Sequence, residues 1–247
     1  MIGCGCSTCT SENPKNRRNR CSVIWGLPEG NLLIDTPPEL RLQLVQQRIG
    51  LVHTVCFTHG HADHVFGLDD LRIFPRYLKQ EMPVYCEEMV ERHIRRSFAY
   101  AFDPVTRRYP AGGVPRLIFR RIQELEPFEA LGARVVPIRL MHGKFVSLGY
   151  RIGDVAYCTD VKEIPSESMK LLEGLDILIV DCLRPEPHVT HMNVDEAIDV
   201  VRKLKPRRAL FTHISHRLEH EKTNMDLPEG MELAFDGMEL ELNSIDG

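Results

Sequence analysis

Four metal-binding side chains crowd into one short segment of the sequence, directly after an apolar run. Residues 52–57 (VHTVCF) are mostly apolar and β-branched, which predicts a buried strand. Residues 58–64 (THGHADH) follow at once and contain His59, His61, Asp63 and His64. Imidazole nitrogens and carboxylate oxygens are the ligands that zinc and similar divalent ions favour in catalytic sites. The segment therefore predicts a metal site on a strand-to-helix turn, and it restricts the fold to one that builds such a turn.

A single turn cannot surround two metal ions, so further ligands are expected at the ends of other strands. Three such residues are present, each directly after an apolar run that predicts a strand: His142, Asp160 and His213. Taken singly, each would fit a hydrogen-bonded turn. Together they favour a metal site to which several strands contribute.

Strand and helix signals alternate along the chain. Short β-branched runs predict strands at residues 22–25, 31–34, 52–57, 117–119, 133–140, 145–151, 155–158, 177–180 and 209–211. Segments with helical period predict helices at residues 38–48, 64–79, 86–98, 166–173 and 193–205. The last of these helices has Asn193 as its N-cap and Glu196 as the acidic partner of that cap. The pattern predicts the α/β (α+β) class.

The composition is that of an ordinary globular protein. The chain has 247 residues, of which 43% are hydrophobic and 27% charged, with a formal net charge of -4. This length predicts one domain, residues 1–247, with two domains as the alternative, and the acidic balance disfavours a nucleic-acid polymer as partner. The sequence shows no run of about 18 apolar residues and no leader-like segment. A membrane span is therefore not expected, and a cytoplasmic location is.

The cysteines fall into two groups. Cys4, Cys6 and Cys9 are crowded into the segment 1–21, with a spacing typical of a metal site rather than of disulfide bridges. The others are scattered, and most are expected to be small buried hydrophobes: Cys21, Cys56, Cys86, Cys158 and Cys182. Residues 99–115, with their prolines and glycines, predict a surface loop or lid.

The order of the ligand motifs, HxHxDH, then His, then Asp, then His, resembles the metallo-β-lactamase fold superfamily over most of the chain. The resemblance implies a four-layer αββα sandwich with two divalent metal ions, Zn or Mn. It also implies the ligands: His59, His61 and His142 for one ion, Asp63, His64 and His213 for the other, and Asp160 as a bridge. Two cations that share a carboxylate lower the pKa of a trapped water, which then attacks a phosphoryl or carbonyl group.

A leaving group still needs a proton donor, and the segment 181–191 offers candidates. His191 is the first choice, because an imidazole titrates near neutral pH and the loop could aim it at the metal ions. Asp63 is counted with His191 among the catalytic residues. Arg184, His188 and His191 together suit a phosphate group and are the expected substrate-binding residues.

A closer resemblance, to the PhnP family of phosphodiesterases, rests on four places. They are residues 3–9 (GCGCSTC) with 17–20 (RRNR), residues 66–72 (FGLDDLR), residues 190–191 (TH), and residues 211–216 (FTHISH) with 227–230 (LPEG). The resemblance implies hydrolysis of phosphoribosyl 1,2-cyclic phosphate and of small phosphodiesters such as 2′,3′-cyclic nucleotides. It also implies one structural zinc held by Cys4, Cys6, Cys9 and His216, with His220 and Cys21 as weaker alternatives to His216. It allows a homodimer.

Three other functions stay open at the level of sequence. A ribonuclease Z-like RNA-processing phosphodiesterase shares the metal motif but needs a basic gripping surface. A thioesterase or lactonase of the same fold would use the same metal ions, because a fold does not decide a substrate. A metal-stabilised binding module would need all metal positions filled by protein ligands, with none left for water.

Overall fold

The computed structural model describes residues 1–108 and 113–242. The chain divides into two compact units: a central unit, Arg20–Arg134, and a terminal unit, Met1–Asn19 with Val135–Gly247. Each unit has its own sheet, helices and apolar core, which confirms the predicted mixture of helices and strands. The assignment of residues 1–247 to one domain stays a prediction. Of the predicted cysteine-rich segment 1–21, residues 1–19 belong to the terminal unit.

Among its described residues, the central unit carries six strands and five α-helices. Its strands are β1 (Val23–Leu27), β2 (Gly30–Ile34), β3 (Thr54–Cys56), β4 (Met82–Cys86), β5 (Leu117–Arg121) and β6 (Phe128–Ala130). Its α-helices are α1 (Leu40–Gln46), α2 (Ala62–Val65), α3 (Phe74–Leu78), α4 (Glu88–Ser97) and α5 (Ala99–Phe102). Two 3-10 helices cover Leu68–Ile73 and Thr106–Arg108.

Five strands of the central unit lie in the order β1-β2-β3-β4-β5. The first pair is an antiparallel hairpin, and β2 to β5 run parallel. The carboxyl ends of parallel strands meet at one edge of a sheet. The residues that follow β2 and β3, among them Asp35 and Thr58, therefore lie side by side at that edge.

In the part of it that the structure describes, the terminal unit carries six strands and three α-helices. Its strands are β7 (Ala133–His142), β8 (Phe145–Ile152), β9 (Val155–Cys158), β10 (Ile177–Asp181), β11 (Arg208–Thr212) and β12 (Met231–Leu233). Its helices are α6 (Ser166–Leu171), α7 (Val194–Leu204) and α8 (His220–Asp226), with a 3-10 helix at Pro14–Asn16. The strands lie in the order β12-β11-β10-β9-β8-β7.

Strands β9 to β12 are parallel, whereas β7 and β8 form an antiparallel hairpin that continues antiparallel into β9. Strand β7 therefore points the same way as β9. As a result His142, Asp160, Asp181 and His213 all come at the carboxyl ends of strands on one edge of this sheet.

The predicted helix at residues 64–79 is wrong as a single element. It is divided into α2, the 3-10 helix Leu68–Ile73 and α3. The break occurs at Gly67, whose N–H donates to the carbonyl of Thr36 at 2.8 Å instead of continuing the helix. A Cβ at Gly67 would lie 2.1 Å from the carbonyl oxygen of Pro37, so only glycine fits there. The chain packs backbone against backbone at this point, which periodicity cannot reveal.

Three short strands, β4, β6 and β12, were not predicted from the sequence. In β4 the second residue is Pro83, which weakens the strand signal because proline lacks a backbone donor. Its carbonyl accepts a hydrogen bond from the Thr54 hydroxyl at 2.8 Å. The other two strands have three residues each, which is too short for a clear alternation.

Helix α7 begins as predicted. The Asn193 side chain accepts from the backbone of Glu196, and the Glu196 side chain accepts from the backbone of Asn193, so both halves of the capping box are present. The predicted loop at residues 99–115 begins with α5 and a 3-10 turn, and its residues 109–112 lie outside the described part of the chain. Within the described residues, no helix is long and apolar enough to span a bilayer.

Candidate active site

In the central unit, the turn between β3 and α2 brings three imidazoles together. The Nε2 atom of His59 and the Nδ1 atom of His61 are 2.8 Å apart. The ring of His64 lies 4.4 Å from that of His59, and its Nε2 is 3.6 Å from a carboxylate oxygen of Asp63. The four residues predicted from the motif are therefore neighbours.

Asp35 stabilises this turn through hydrogen bonds to its carboxylate. It follows β2, is fully buried and has a left-handed backbone (φ 64). Its carboxylate accepts from the backbone N–H and the hydroxyl of Thr58, each at 2.8 Å, and from Nδ1 of His64 at 2.7 Å. Burial raises the pKa of Asp35, and the neighbouring His64 acts in the opposite direction. Asp35 thus holds both the start and the end of the metal-binding segment.

These hydrogen bonds decide which ring nitrogens are available to a metal. The hydroxyl of Thr58 gives its proton to Asp35, so it accepts from Nδ1–H of His59 at 2.9 Å. Nε2 of His59 is then left as a lone-pair donor, and the bond from His64 to Asp35 does the same for Nε2 of His64. A second partner that locks the tautomer in this way is typical of metal-ligating histidines. The donor set therefore fits a divalent cation.

In the terminal unit, Asp160 lies between two histidines. Its Oδ2 is 3.8 Å from Nε2 of His142, and its Oδ1 is 3.5 Å from Nε2 of His213. Nδ1 of His142 is bonded to the carbonyl of Thr190 at 2.8 Å, which again leaves Nε2 as the donor. Each carboxylate oxygen thus faces a different imidazole, as a bridging ligand would.

Two of these residues have unfavourable backbone conformations. Asp160 and His213 adopt left-handed φ angles of 51 and 56 degrees. Such a conformation costs a non-glycine residue about 1–3 kcal/mol and is concentrated at functional sites. At Asp160, a hydrogen bond that Oδ1 accepts from the Thr159 hydroxyl, at 2.8 Å, helps to hold the side chain in place.

His191 forms a buried pair with Asp181. Nδ1 of His191 is 2.6 Å from Oδ2 of Asp181, and the same oxygen accepts from the backbone N–H of Val161 at 3.0 Å. The ring of His191 stacks on that of His213 at 4.6 Å and 13° and meets His142 edge-on at 4.6 Å. Burial raises the pKa of Asp181, and the hydrogen bond from His191 opposes that rise. His191 is therefore held in one orientation beside two predicted metal ligands.

The other two predicted substrate-binding residues are placed differently. His188 lies 5.2 Å from His191, and its Nδ1 accepts from the backbone N–H of Thr190 at 3.3 Å. Burial, followed by the charge of His191, lowers the pKa of His188, which favours its neutral form. Arg184 donates to the carbonyls of Glu186 and Pro187, at 3.3 and 2.9 Å. Two of its donors therefore support the loop rather than a ligand.

The predicted structural zinc ligands also come together, all within the terminal unit. One ligand atom each of Cys4, Cys6, Cys9 and His216 lies within 4.8 Å of the others. Nδ1 of His216 is 3.5 Å from Sγ of Cys4 and 3.4 Å from Sγ of Cys6. The bond to His216 lowers the pKa of Cys6 to about 6, which favours the thiolate that zinc requires. Three sulfurs and one imidazole suit a closed tetrahedral zinc site.

Neighbouring residues hold this N-terminal segment in place. The guanidinium of Arg18 donates to the carbonyls of Ser215 and Leu218, at 3.0 and 2.8 Å. His220, the weaker alternative ligand, instead has its Nε2 3.1 Å from the side-chain amide of Asn224. The geometry therefore supports His216 rather than His220 as the fourth ligand.

Replacing Cys6 with alanine is expected to lower the zinc content by one equivalent, because a closed tetrahedral site with three remaining ligands holds zinc poorly. The segment 1–19 should then become more sensitive to proteolysis. Elemental analysis and limited proteolysis measure the two effects. Replacement of the adjacent, exposed Ser7 with alanine is the matched control. Unchanged zinc in the Cys6 variant would refute the assignment.

Three residues of the site were not singled out as functional from the sequence: Asp35, Thr58 and Asp181. Each lies at or just beyond the carboxyl end of a buried parallel strand. For the two aspartates that position is the available signal, because acidic residues rarely end a buried strand without a partner. Their partners, however, are distant in sequence and could not be named.

A family profile described as "Beta-lactamase superfamily domain" matches residues 30–214. The chain is also similar to a solved structure described as a "New Diphosphatase from the PhnP Family", with 40% identity and a TM-score of 0.89. That similarity covers 98% of this chain and 92% of the other. Zn(2+)-bound PqqB from Methylobacterium extorquens has a TM-score of 0.71 at 21% identity, over 98% of this chain and 95% of that one, and shares the fold.

Among curated proteins, the chain is 33% identical over 241 residues to a protein named "Octanoyltransferase" from Porphyromonas gingivalis (strain ATCC BAA-308 / W83). The match covers 96% of this chain but 48% of that protein. The chain thus spans about half the length of the curated relative that it matches.

Proposed function

The chain belongs to the β-lactamase superfamily domain family and, within it, to the PhnP family, and from this we propose that it hydrolyses small phosphodiesters. The expected substrates are compounds such as phosphoribosyl 1,2-cyclic phosphate or 2′,3′-cyclic nucleotides. Family membership confirms the metallo-β-lactamase fold and the class of metal-dependent hydrolase that the sequence predicted. The substrate is the part that we propose.

We propose that the protein binds two divalent ions, Zn or Mn. By the family motif, the ligands are His59, His61 and His142 for one ion, Asp63, His64 and His213 for the other, and Asp160 for both. When bound, the ions supply Lewis acidity, which lowers the pKa of water and offsets charge that develops on phosphoryl oxygens. His and carboxylate ligands accept both metals, so the residues do not choose between them.

The observation that supports phosphodiester hydrolysis best is the buried pair of His191 and Asp181. Cleavage of a phosphodiester releases an alkoxide, which is strongly basic and leaves only if it receives a proton. With Nδ1 bonded to Asp181, the imidazole of His191 presents Nε2 as its proton donor, and Asp181 stabilises the charged ring before the transfer. His188 lies next to it and, in its neutral form with Nδ1 accepting from Thr190, can donate a hydrogen bond from Nε2 to a phosphoryl oxygen of the substrate.

Two competing substrates have a specific observation in their favour. The relative that is 40% identical is described as a diphosphatase, which favours a phosphoanhydride as the bond that is cleaved. The relative named "Octanoyltransferase" points instead to an acyl thioester, although this chain spans about half of that protein. A lactone belongs to the same acyl class.

An RNA-processing role of the ribonuclease Z type has less support. The densest basic cluster, residues 17–20, is partly used within the protein, because Arg18 bonds to two backbone carbonyls. With a net charge of -4, the chain offers little for a polyanion to bind. A nucleic-acid polymer is therefore not the partner that we propose. A cytoplasmic location and a homodimer stay predictions.

The proposal is tested by turnover of a matched set of substrates with protein of known metal content. The set contains a 2′,3′-cyclic nucleotide, bis(p-nitrophenyl) phosphate, a dinucleoside diphosphate, an octanoyl thioester and a lactone. We expect chelator-sensitive hydrolysis of the diesters, and loss of most of it in the His61→Ala variant. Turnover of the acyl substrates alone would overturn the substrate class, and turnover of the diphosphate alone would favour the phosphoanhydride.

A further inference from the structure

Three aromatic side chains of the central unit form a partly exposed cluster, which we call the aromatic corner: Phe66, Phe98 and Tyr100. The rings of Phe66 and Phe98 meet edge to face, with centroids 5.9 Å apart and planes at 87°. The ring of Tyr100 lies 6.5 Å from that of Phe98. Phe66 is 50% and Tyr100 42% exposed, whereas Phe98 packs partly against the core. Core packing therefore accounts for Phe98 but leaves two rings open to solvent.

The aromatic corner lies beside the metal-binding turn. Phe66 is the C-cap of α2, and its N–H donates to the carbonyl of Ala62 at 3.1 Å. The same single-turn helix carries Asp63 and His64. On the other side of the turn, a Cβ at Gly60 would lie 3.5 Å from the ring of His93 on α4, the helix that leads to Phe98. Phe66 thus follows the turn directly in sequence, and the ring of His93 lies against the backbone of the turn at Gly60.

The ring of Tyr100 is held in place by its own polar group. Its hydroxyl donates to the carboxylate of Asp69, which also binds the guanidinium of Arg72. The carbonyl of Tyr100 accepts from the hydroxyl of Thr106. A ring that is already immobilised loses little conformational entropy when a ligand binds to it. These contacts also give a role to Asp69 and Arg72, which the catalytic chemistry does not use.

Building on the proposed phosphodiester chemistry, we propose that the aromatic corner is a stacking subsite for the nucleobase of a nucleotide-type substrate. Two rings set edge to face offer a third planar ring both an offset stack and an edge contact. Base stacking on aromatic side chains contributes strongly to binding and tolerates any base. An acyl chain would gain buried area but neither of these geometric contacts. The substrate class is therefore a nucleoside cyclic phosphate or a similar nucleotide ester rather than a base-free sugar phosphate.

The first test measures binding and needs no turnover. Adenosine monophosphate and ribose 5-phosphate are titrated by calorimetry into the metal-loaded protein, and the ratio of their affinities is the readout. We expect Phe66→Ala and Tyr100→Ala each to reduce the preference for the nucleotide by about tenfold. Tyr77→Ala, which removes an aromatic ring that is 59% exposed in the same unit, is the matched control and should keep the preference.

The second test compares kcat/KM for a nucleoside 2′,3′-cyclic phosphate with that for ribose 2,3-cyclic phosphate. The same two variants should lose about tenfold of this selectivity, mostly through KM. If the wild type cleaves neither ester but still prefers the nucleotide in binding, the proposed function fails and the subsite stands. An unchanged preference in both variants would overturn the subsite. A loss of octanoate binding or of self-association in place of nucleotide preference would also overturn it.

Discussion

Replacing His191 with alanine should slow the hydrolysis of a 2′,3′-cyclic nucleotide by about a hundredfold or more. The alkoxide that leaves is strongly basic, and without the imidazole it must take its proton from water. The metal content should stay the same, because the predicted metal ligands do not include His191. Steady-state kinetics and elemental analysis of the same preparation measure both quantities.

The leaving group provides an internal control for this prediction. Nitrophenolate is weakly basic and departs without a proton, so bis(p-nitrophenyl) phosphate should be much less affected by the loss of His191. An Asp181→Asn variant should show the same dependence on the leaving group in weaker form, because the asparagine no longer stabilises the charged imidazole. Val189→Ala, in the same loop and 79% exposed, is the matched control. An equal loss on both ester types would remove His191 from proton transfer.

Replacing Asp35 with alanine is expected to lower the free energy of unfolding by about 3 kcal/mol and to weaken metal binding by about 10–100-fold. Its carboxylate accepts from the backbone and hydroxyl of Thr58 and from Nδ1 of His64, all in the fully buried interior. After the substitution, a buried N–H has no partner, His64 loses the bond that selects its tautomer, and the Thr58 hydroxyl is no longer fixed as an acceptor for His59. The side chain thus acts on stability and on the metal site through the same three bonds.

Denaturant unfolding of the chelator-treated protein measures the first effect, and metal titration of the folded protein measures the second. Asp70→Ala is the matched control. Asp70 belongs to the same unit, but its side chain is 30% exposed, and its ion pair with Arg72 is long at 4.0 Å. A surface ion pair of this kind contributes about 0–1 kcal/mol to the free energy of unfolding. Metal affinity in Asp35→Ala equal to that of the control would show that the turn holds its ligands without Asp35.

Part of the fold could be read from neighbouring residues. The start of α7 depends on Asn193 and Glu196, three residues apart, and each caps the other as predicted. All nine predicted strands are present for the same reason, since a short run of apolar and β-branched residues is a local feature of the sequence. The prediction of a single helix at residues 64–79 was wrong because the helix is broken by a hydrogen bond from the Gly67 N–H to the Thr36 carbonyl, and these residues are distant in sequence.

In the candidate site too, local features could be predicted from the sequence, and contacts between distant residues could not. The motif at residues 58–64 predicted its own cluster of side chains, because their spacing along one turn is enough to bring His59, His61 and His64 together. For the N-terminal cysteines, the residues alone offered several fourth ligands, and the PhnP resemblance favoured His216. Only the tertiary structure placed that ring 3.4 Å from Sγ of Cys6, across 210 positions of the chain.

Sequence by itself determined which side chains can bind a metal and that they follow strands, because ligand chemistry and strand periodicity are both local. The tertiary structure alone decided which side chains Asp35, Asp181 and the rings of the aromatic corner contact. A buried carboxylate acquires its role from the side chains that parallel strands bring to the same edge of the sheet, and an exposed ring acquires its role from the turn beside it. Both depend on how segments far apart in the sequence pack, which no local pattern specifies.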